Sequence, residues 1–312
     1  MGNLPVMFMY AEDRLRAVAA AAWYVSEEFS QESASLYLMF NRQKDVDIYL
    51  NTTPSVSVQN MLIGIGCRKI GSRPHLDNYM IIVNPQSFSS LMSFLLKKFS
   101  ESEIGLKKNL FYICSRIGKG SSKILPKPKQ SQIQAYNTEG RYTIQLCENS
   151  SSFLKYLTEH KRENTIELSK DKTTLDWILF SPEVQVLLHR KTEQIFTKDG
   201  TYCGYIIYDY QHVGAETTLR IRELQLLKPE NAIVKLIIKH LKIEARNAGC
   251  AAIYSGLLAP DPELDRLLHK NIRLSLKTKN RYFVKFRKNV ITDVDPYAIY
   301  VPSDLDPDQG FL

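Results

Sequence analysis

Apolar and polar positions along this chain run strand, helix, strand, helix twice, and the two passages lie roughly two hundred residues apart. The first reads AVAAAAWYV (Ala17 to Val25), SASLYLMFNRQ, DVDIYLNTTPS and SVSVQNMLIGIG. The second reads TLRIRELQLL (Thr218 to Leu227), ENAIVKLIIKHLKIEARNAG, CAAIYSGLL and DPELDRLLHKNI. Each passage sets an amphipathic helix between two apolar strands. That unit builds a parallel strand pair and leaves a ligand crevice at the strand ends.

The second half has the clearer pattern. YTIQLCEN predicts a short strand and SSFLKYLTEHK a helix capped by Ser151 or Ser152. TLDWILFSPEVQVLL predicts a helical segment broken at Pro182. KTEQIFTKDG and TYCGYIIYDY flank Asp199-Gly200, a strong short hairpin signal, and ETTLRIRELQLL follows a turn at residues 213–215. After Pro229, Ile233, Val234, Ile237, Ile238, Leu241, Ala245 and Ala248 share one helical face, while Lys235, Lys239, Lys242 and Arg246 lie outside it. Gly249 stands where a helix C-terminus favours glycine. RLSLKTKN and RYFVKFRK are expected to close the domain as an antiparallel pair.

Composition narrows the class without choosing a function. The chain has 312 residues, 44% of them hydrophobic, enough for a large core and two domains of ordinary size. The five cysteines (Cys67, Cys114, Cys147, Cys203, Cys250) are scattered and form no C-x-x-C, so neither a disulfide framework nor a zinc knuckle is indicated, and a reducing cytoplasm is expected. No apolar run approaches the roughly 20 residues that cross a bilayer, so no membrane association is expected. MGNLPV carries Val6 where myristoylation favours Ser or Thr. The net charge of +8 suits a polyanion, a nucleic acid included, although no aromatic-interleaved nucleic-acid motif accompanies it.

Lys119, Lys123, Lys127 and Lys129 fall in IGKGSSKILPKPKQ, where Pro126 and Pro128 favour extended backbone. GKGSSK does not satisfy G-x-x-x-x-G-K-[ST] and precedes no helical pattern. The expected organisation is a first domain over 1–117, a basic linker over 118–135, a second domain over 136–290 and an acidic, solvated tail over 291–312.

The order of elements in the second half resembles the GNAT superfamily of acyl-CoA-dependent N-acyltransferases, and the first half resembles the later part of the same fold. In AWYVSEEFSQESASLYLMF, the spacing of Val25, Phe29, the SQESAS loop and Leu38 is similar to the family's strand, pyrophosphate loop and helix. Asn51 occupies the familiar asparagine position, and Gly66-Cys67 stands where Gly-Phe is usual. The resemblance implies an α/β fold of tandem GNAT-like domains, each a central mixed sheet with parallel crossover strands flanked by helices. About sixteen residues precede the first strand, so the first copy is expected to lack the fold's opening strands and to complete its sheet elsewhere.

The resemblance also implies acetyl-CoA or another acyl-CoA as co-substrate, an amine on a small molecule or peptide as acceptor, and a homodimer as one arrangement. Its cofactor-binding positions are Val25, Gln31, Glu32, Ser33, Ala34, Ser35 and Asn51. A helix N-terminus with small residues lets backbone N–H groups close on a pyrophosphate. The alternative reading makes SQESAS a serine-rich helix start capped by Ser30, which replaces the family's basic residue. Glu223, on an apolar strand, resembles the strand glutamate that serves as general base, and Tyr254 is the candidate acid. The alternatives are a Glu223 carboxylate paired with Arg220 or Arg222, and a Tyr254 ring packed in the core. The family's tyrosine acid falls at Leu62 and Leu267, neither of which donates a proton. A non-catalytic GNAT-like binding or structural module therefore stands as the rival function.

Three other patterns fail. The six histidines show no metal-binding spacing, and most are expected at the surface. Asp304, Asp306 and Asp308 alternate as in a calcium loop, but Gly310 comes one residue late. No nucleophile elbow is present.

Overall fold

The computed structural model describes residues 2–21, 32–51, 54, 56–70, 77–98, 141–157, 165–255, 261–277, 283–301 and 305. They form two mixed sheets flanked by helices, one of six strands and one of seven. In the first sheet, β1 (Gly2–Tyr10) and β2 (Asp13–Ala21) pair antiparallel around Ala11, whose φ is +50°. Helix α1 (Ser33–Phe40) leads to β3 (Ile48–Asn51), which lies parallel to β2 from Ala17 opposite Ile48 to Ala19 opposite Leu50. Helix α2 (Val56–Gly64) and the short β4 (Arg68–Lys69) follow. Every residue of β3 is buried, as expected of a strand with neighbours on both edges and cover on both faces.

The first strand differs from its sequence expectation. Its paired stretch is Asp13–Ala21, and residues 2–10 supply an antiparallel partner where no strand was expected. In β1 the buried Val6 and Phe8 alternate with less buried neighbours, but the alternation is short and Pro5 interrupts its propensity signal.

The second sheet holds β6 (Tyr142–Leu146), β8 (Lys191–Thr197), β9 (Tyr202–Val213), β10 (Glu216–Leu226) and β11 (Ala252–Ser255), in the spatial order β11-β10-β9-β8-β6. β6, β8, β9 and β10 are successive antiparallel neighbours, and the β8–β9 turn has Gly200 at φ +86°, as Asp-Gly predicted. β10 and β11 are parallel, joined by α7 (Asn231–Asn247). The predicted face of α7 is buried at Ile233, Val234, Ile237, Ile238, Leu241 and Ala245, while Ala248 is the exposed C-cap. Gly249 N–H donates to the Arg246 carbonyl and Cys250 N–H to that of Ala245, a Schellman ending with Gly249 at φ +69°. Helix α8 (Pro262–Asn271) is capped by Asp261.

Two strands cross between the halves of the chain. β5 (Asp77–Ile82), from the first half and followed by helix α3 (Pro85–Lys98), lies in the second sheet between β11 and β12 (Leu274–Lys277). β13 (Phe283–Phe286), near the C-terminus, lies in the first sheet between β3 and β4. The expected antiparallel pairing of RLSLKTKN with RYFVKFRK therefore does not occur. β12 and β13 enter different sheets because each finds an edge left open by the other half.

Between β6 and β8 run α4 (Ser150–Leu157), β7 (Ile166–Leu168), α5 (Lys172–Leu175), a π-helical turn (Asp176–Phe180) and α6 (Pro182–Leu188). The α4 cap is Asn149, whose Oδ1 accepts from Ser152 N–H at 2.9 Å, rather than Ser151 or Ser152. β7 joins the edge of the first sheet beside β1. One hydrophobic cluster gathers Phe8, Ala19 and Phe286 of the first sheet, Tyr205 and Ile207 of the second, and Phe153 and Leu179 between them. Full burial of each large side chain contributes roughly 1.5–3 kcal/mol, so this shared core joins the sheets energetically.

The expected solvated tail is also anchored in this core. Helix α9 (Pro296–Ile299) precedes Tyr300 and Val301, and these two residues and Leu305 are buried. Val301 N–H donates to the Ile166 carbonyl at 2.9 Å, so aromatic and aliphatic burial outweighs the acidic composition. The expected linker over 118–135 lies outside the described residues. Among those described, no helix is long and apolar enough to cross a membrane.

A Cβ added at Gly204 on β9 would stand 2.1 Å from the Gln225 carbonyl oxygen, a backbone atom of the paired strand. We expect Gly204→Ala to cost about 3 kcal/mol through overpacking, read as a lower urea midpoint at unchanged m-value.

Candidate functional site

In the second sheet the β10–β11 ladder runs from Thr218 opposite Ala252 to Ile221 opposite Ser255, and β10 continues to Leu226. A β-bulge between Ile221 and Glu223 inserts Arg222 into β10 just past its last described pairing with β11. The chain then turns through Lys228 and Pro229 into α7. Glu230, the α7 N-cap, makes no side-chain bond to the helix, and its Oε2 accepts from the Tyr142 hydroxyl at 3.0 Å.

Glu223 immediately follows the bulge and is 5% exposed. Its Oε1 accepts from Lys170 Nζ at 2.6 Å and from the Tyr205 hydroxyl at 2.6 Å, and that hydroxyl also lies 2.8 Å from Gln225 Oε1. Burial first, then the charge and hydrogen bond of Glu223, hold the Tyr205 hydroxyl well above the usual tyrosine range. Lys170 follows β7, so this network ties the edge of the first sheet to the bulged strand of the second. A charged partner of Glu223 is Lys170, 53 residues away in the sequence.

Arg222, the bulge residue, is fully buried and turns to Asp209. Asp209 Oδ2 accepts from Arg222 Nε at 2.7 Å and from an Arg190 terminal nitrogen at 2.9 Å, with all three side chains 0% exposed. Arg190 also donates to the Ile178 carbonyl at 2.7 Å, which fixes the π-helical turn against the sheet. The alternating pattern of β10 gave no sign of this, because a bulge changes which residues share a face.

Tyr254 lies on β11 opposite Arg220, with the Arg220 guanidinium carbon 5.7 Å from its ring centroid, and its hydroxyl donates to the Gln211 side chain. Glu223 lies three residues beyond Arg220 along β10, so the register does not place Glu223 and Tyr254 opposite one another. Leu267 and Leu62 are both buried.

The cofactor-binding candidates of the first half belong to the β2–β3 crossover. Asn51 ends β3, is 5% exposed and pairs with Phe283. Glu32 is the N-cap of α1 and makes no side-chain cap bond; Ser33, Ala34 and Ser35 form the first turn, with Ser35 exposed. Val25, Gln31 and Ser30 lie outside the described residues. Gly66 adopts φ +88°, and Cys67 is buried against the Tyr37 hydroxyl with its thiol pushed up mainly by burial.

Helix α7 is clamped to the outer face of the second sheet by a polar network. His240 Nε2 lies 2.8 Å from Glu193 Oε2, Tyr208 donates to Glu193 Oε1 at 3.0 Å, and Lys191 Nζ donates to Glu244 Oε2 at 2.6 Å. Tyr210 also reaches Glu244 Oε2, at 3.3 Å. Here a histidine expected at the surface serves as an internal link.

No family model matches the sequence, and no curated protein does. Among solved structures, Saccharomyces cerevisiae N-myristoyltransferase with bound myristoyl-CoA superposes with a TM-score of 0.53 at 10% identity, covering 91% of this chain and 62% of that one. The same enzyme with bound myristoyl-CoA and inhibitors gives 0.51 at 10% identity, covering 91% and 63%. A GCN5-related N-acetyltransferase from Anabaena variabilis gives 0.49 at 12% identity, covering 91% and 58%. The chain thus spans 58% to 63% of the length of these proteins. The chain shares the fold of these N-myristoyltransferase structures, consistent with the GNAT-like fold that the sequence resemblance implied.

Two predictions follow from the buried charges. Asp209→Ala strands two guanidinium groups at 0% exposure and should cost about 3–5 kcal/mol in chemical denaturation, far more than an exposed Asp→Ala change. At His240, burial opposes the charged form, but the hydrogen bond and charge of Glu193, aided by Glu244, raise the pKa above 6.5. Its stabilisation is therefore fully present below pH 6.5 and disappears as pH rises through the higher folded value. His240→Gln should remove that component from the stability–pH profile.

Proposed function

We propose that this chain is an acyl-CoA-dependent N-acyltransferase, in its simplest form an acetyltransferase, built from a pair of GNAT-like units and acting on an amine of a small molecule or peptide. The observation that carries the reading is the Arg222 bulge in β10, just past its last described pairing with β11 and on the strand that leads into a 17-residue helix. Backbone N–H groups on the open edge of β10 would polarise the thioester carbonyl. The α7 N-terminus, which has no side-chain cap, would face the pyrophosphate with Lys228 beside it. The second candidate set for coenzyme A is that of the sequence resemblance, Val25, Gln31, Glu32, Ser33, Ala34, Ser35 and Asn51.

In this reading Glu223 takes the proton from the attacking amine. Its Oε1 already holds Lys170 and Tyr205, so substrate must displace one donor or use the carboxylate's other oxygen. Tyr254 remains the proposed donor to the departing thiolate.

The same donors favour the rival reading, a non-catalytic module in which Lys170–Glu223–Tyr205 joins the two sheets. Calorimetric titration with acetyl-CoA separates the two. Saturable binding supports the transferase, and a silent titration, repeated with a longer-chain acyl-CoA, supports the scaffold. With binding established, Glu223→Gln should lower kcat about 10²- to 10⁴-fold at unchanged coenzyme A affinity. An unchanged turnover removes Glu223 from the mechanism.

A further inference from the structure

The face of α7 turned away from the second sheet carries Lys235, Lys239, Lys242 and Arg246, at spacings of four, three and four residues. At 100° per residue these positions fall within an arc of about 60°, and at 1.5 Å per residue they span about 16 Å. Lys235, Lys239 and Arg246 are exposed and Lys242 is half-buried. Together with Ile238, Ile243 and Asn271 they line a groove of about 350 Å³ that contains no acidic residue. Glu244, the helix's acidic residue, points to the opposite side and is held by Lys191. Among the described residues no carboxylate pairs with any of the four cations.

Like charges at i, i+3 and i, i+4 destabilise a helix, so this stripe weakens α7 without an internal return. An external anion with charges every few ångströms would relieve it. No residue of α7 is among the exposed large hydrophobics, so the face lacks the apolar wedge of a helix that inserts into a bilayer. It also has no aromatic side chain on which a base could stack. We propose that this face docks the phosphodiester backbone of a nucleic acid without reading its sequence. The surface is distinct from the acyl-transfer crevice proposed above, and its test is independent of acyltransferase activity.

The test uses the full chain and a fluorescein-labelled mixed-sequence single-stranded RNA of about 20 nucleotides. Neutralising four phosphates gives a slope of log K against log salt of about −2.8, or about a 50-fold loss between 50 and 200 mM salt. Replacing Lys235, Lys239, Lys242 and Arg246 together with Gln should abolish that slope and weaken low-salt binding at least tenfold. The melting temperature should stay equal or rise, because repulsion is removed. Replacing Lys119, Lys123, Lys127 and Lys129 with Gln should leave the slope within one unit of its original value. Wild-type slope and affinity in the helix variant would overturn the proposal. So would phosphatidylserine vesicles that bind the wild type more tightly than RNA at equal charge concentration.

Discussion

Backbone hydrogen bonding at two open sheet edges is the constraint on which this molecule depends. The β11 edge of the second sheet is covered by β5, and the β3 edge of the first by β13. Each covering strand comes from the opposite half of the chain. A buried backbone group without a partner costs roughly 1–3 kcal/mol, so neither sheet is complete until both halves have folded. The two sheets are therefore joined by exchange of strands as well as by apolar contact.

That exchange also determines what surrounds the bulge on β10. With β5 holding β11 and the α4–α6 segment packed between the sheets, Lys170 is carried from the edge of the first sheet to Glu223 of the second. The same packing brings Arg190 and Arg222 onto Asp209. The strand after the bulge is thus braced by two charged networks. Fixed polar groups beside a bulged strand serve electrostatic preorganisation and a rigid scaffold equally.

The two faces of α7 divide the work of the second sheet. Its inner face supplies apolar burial and the His240–Glu193 link, which fix the helix over the parallel pair. Its outer face is charged with one sign and makes no internal ion pair among the described residues. A helix anchored on one side can present such a stripe as a rigid row.

Local pattern specified the crossover units, the Asp199-Gly200 hairpin, the length and buried face of α7 and its end at Gly249. These depend on local periodicity and turn chemistry, which neighbouring residues specify. It also singled out Glu223 and Tyr254 as chemically notable, since a carboxylate or phenol among apolar strand residues is visible in one dimension. Only the tertiary structure decided that Lys170 and Tyr205 partner Glu223, that Arg222 turns to Asp209, that β12 and β13 part into different sheets and that Tyr300 and Leu305 are buried. Each of those outcomes depends on which strand edge or buried charge a distant segment meets, and no local pattern encodes that meeting.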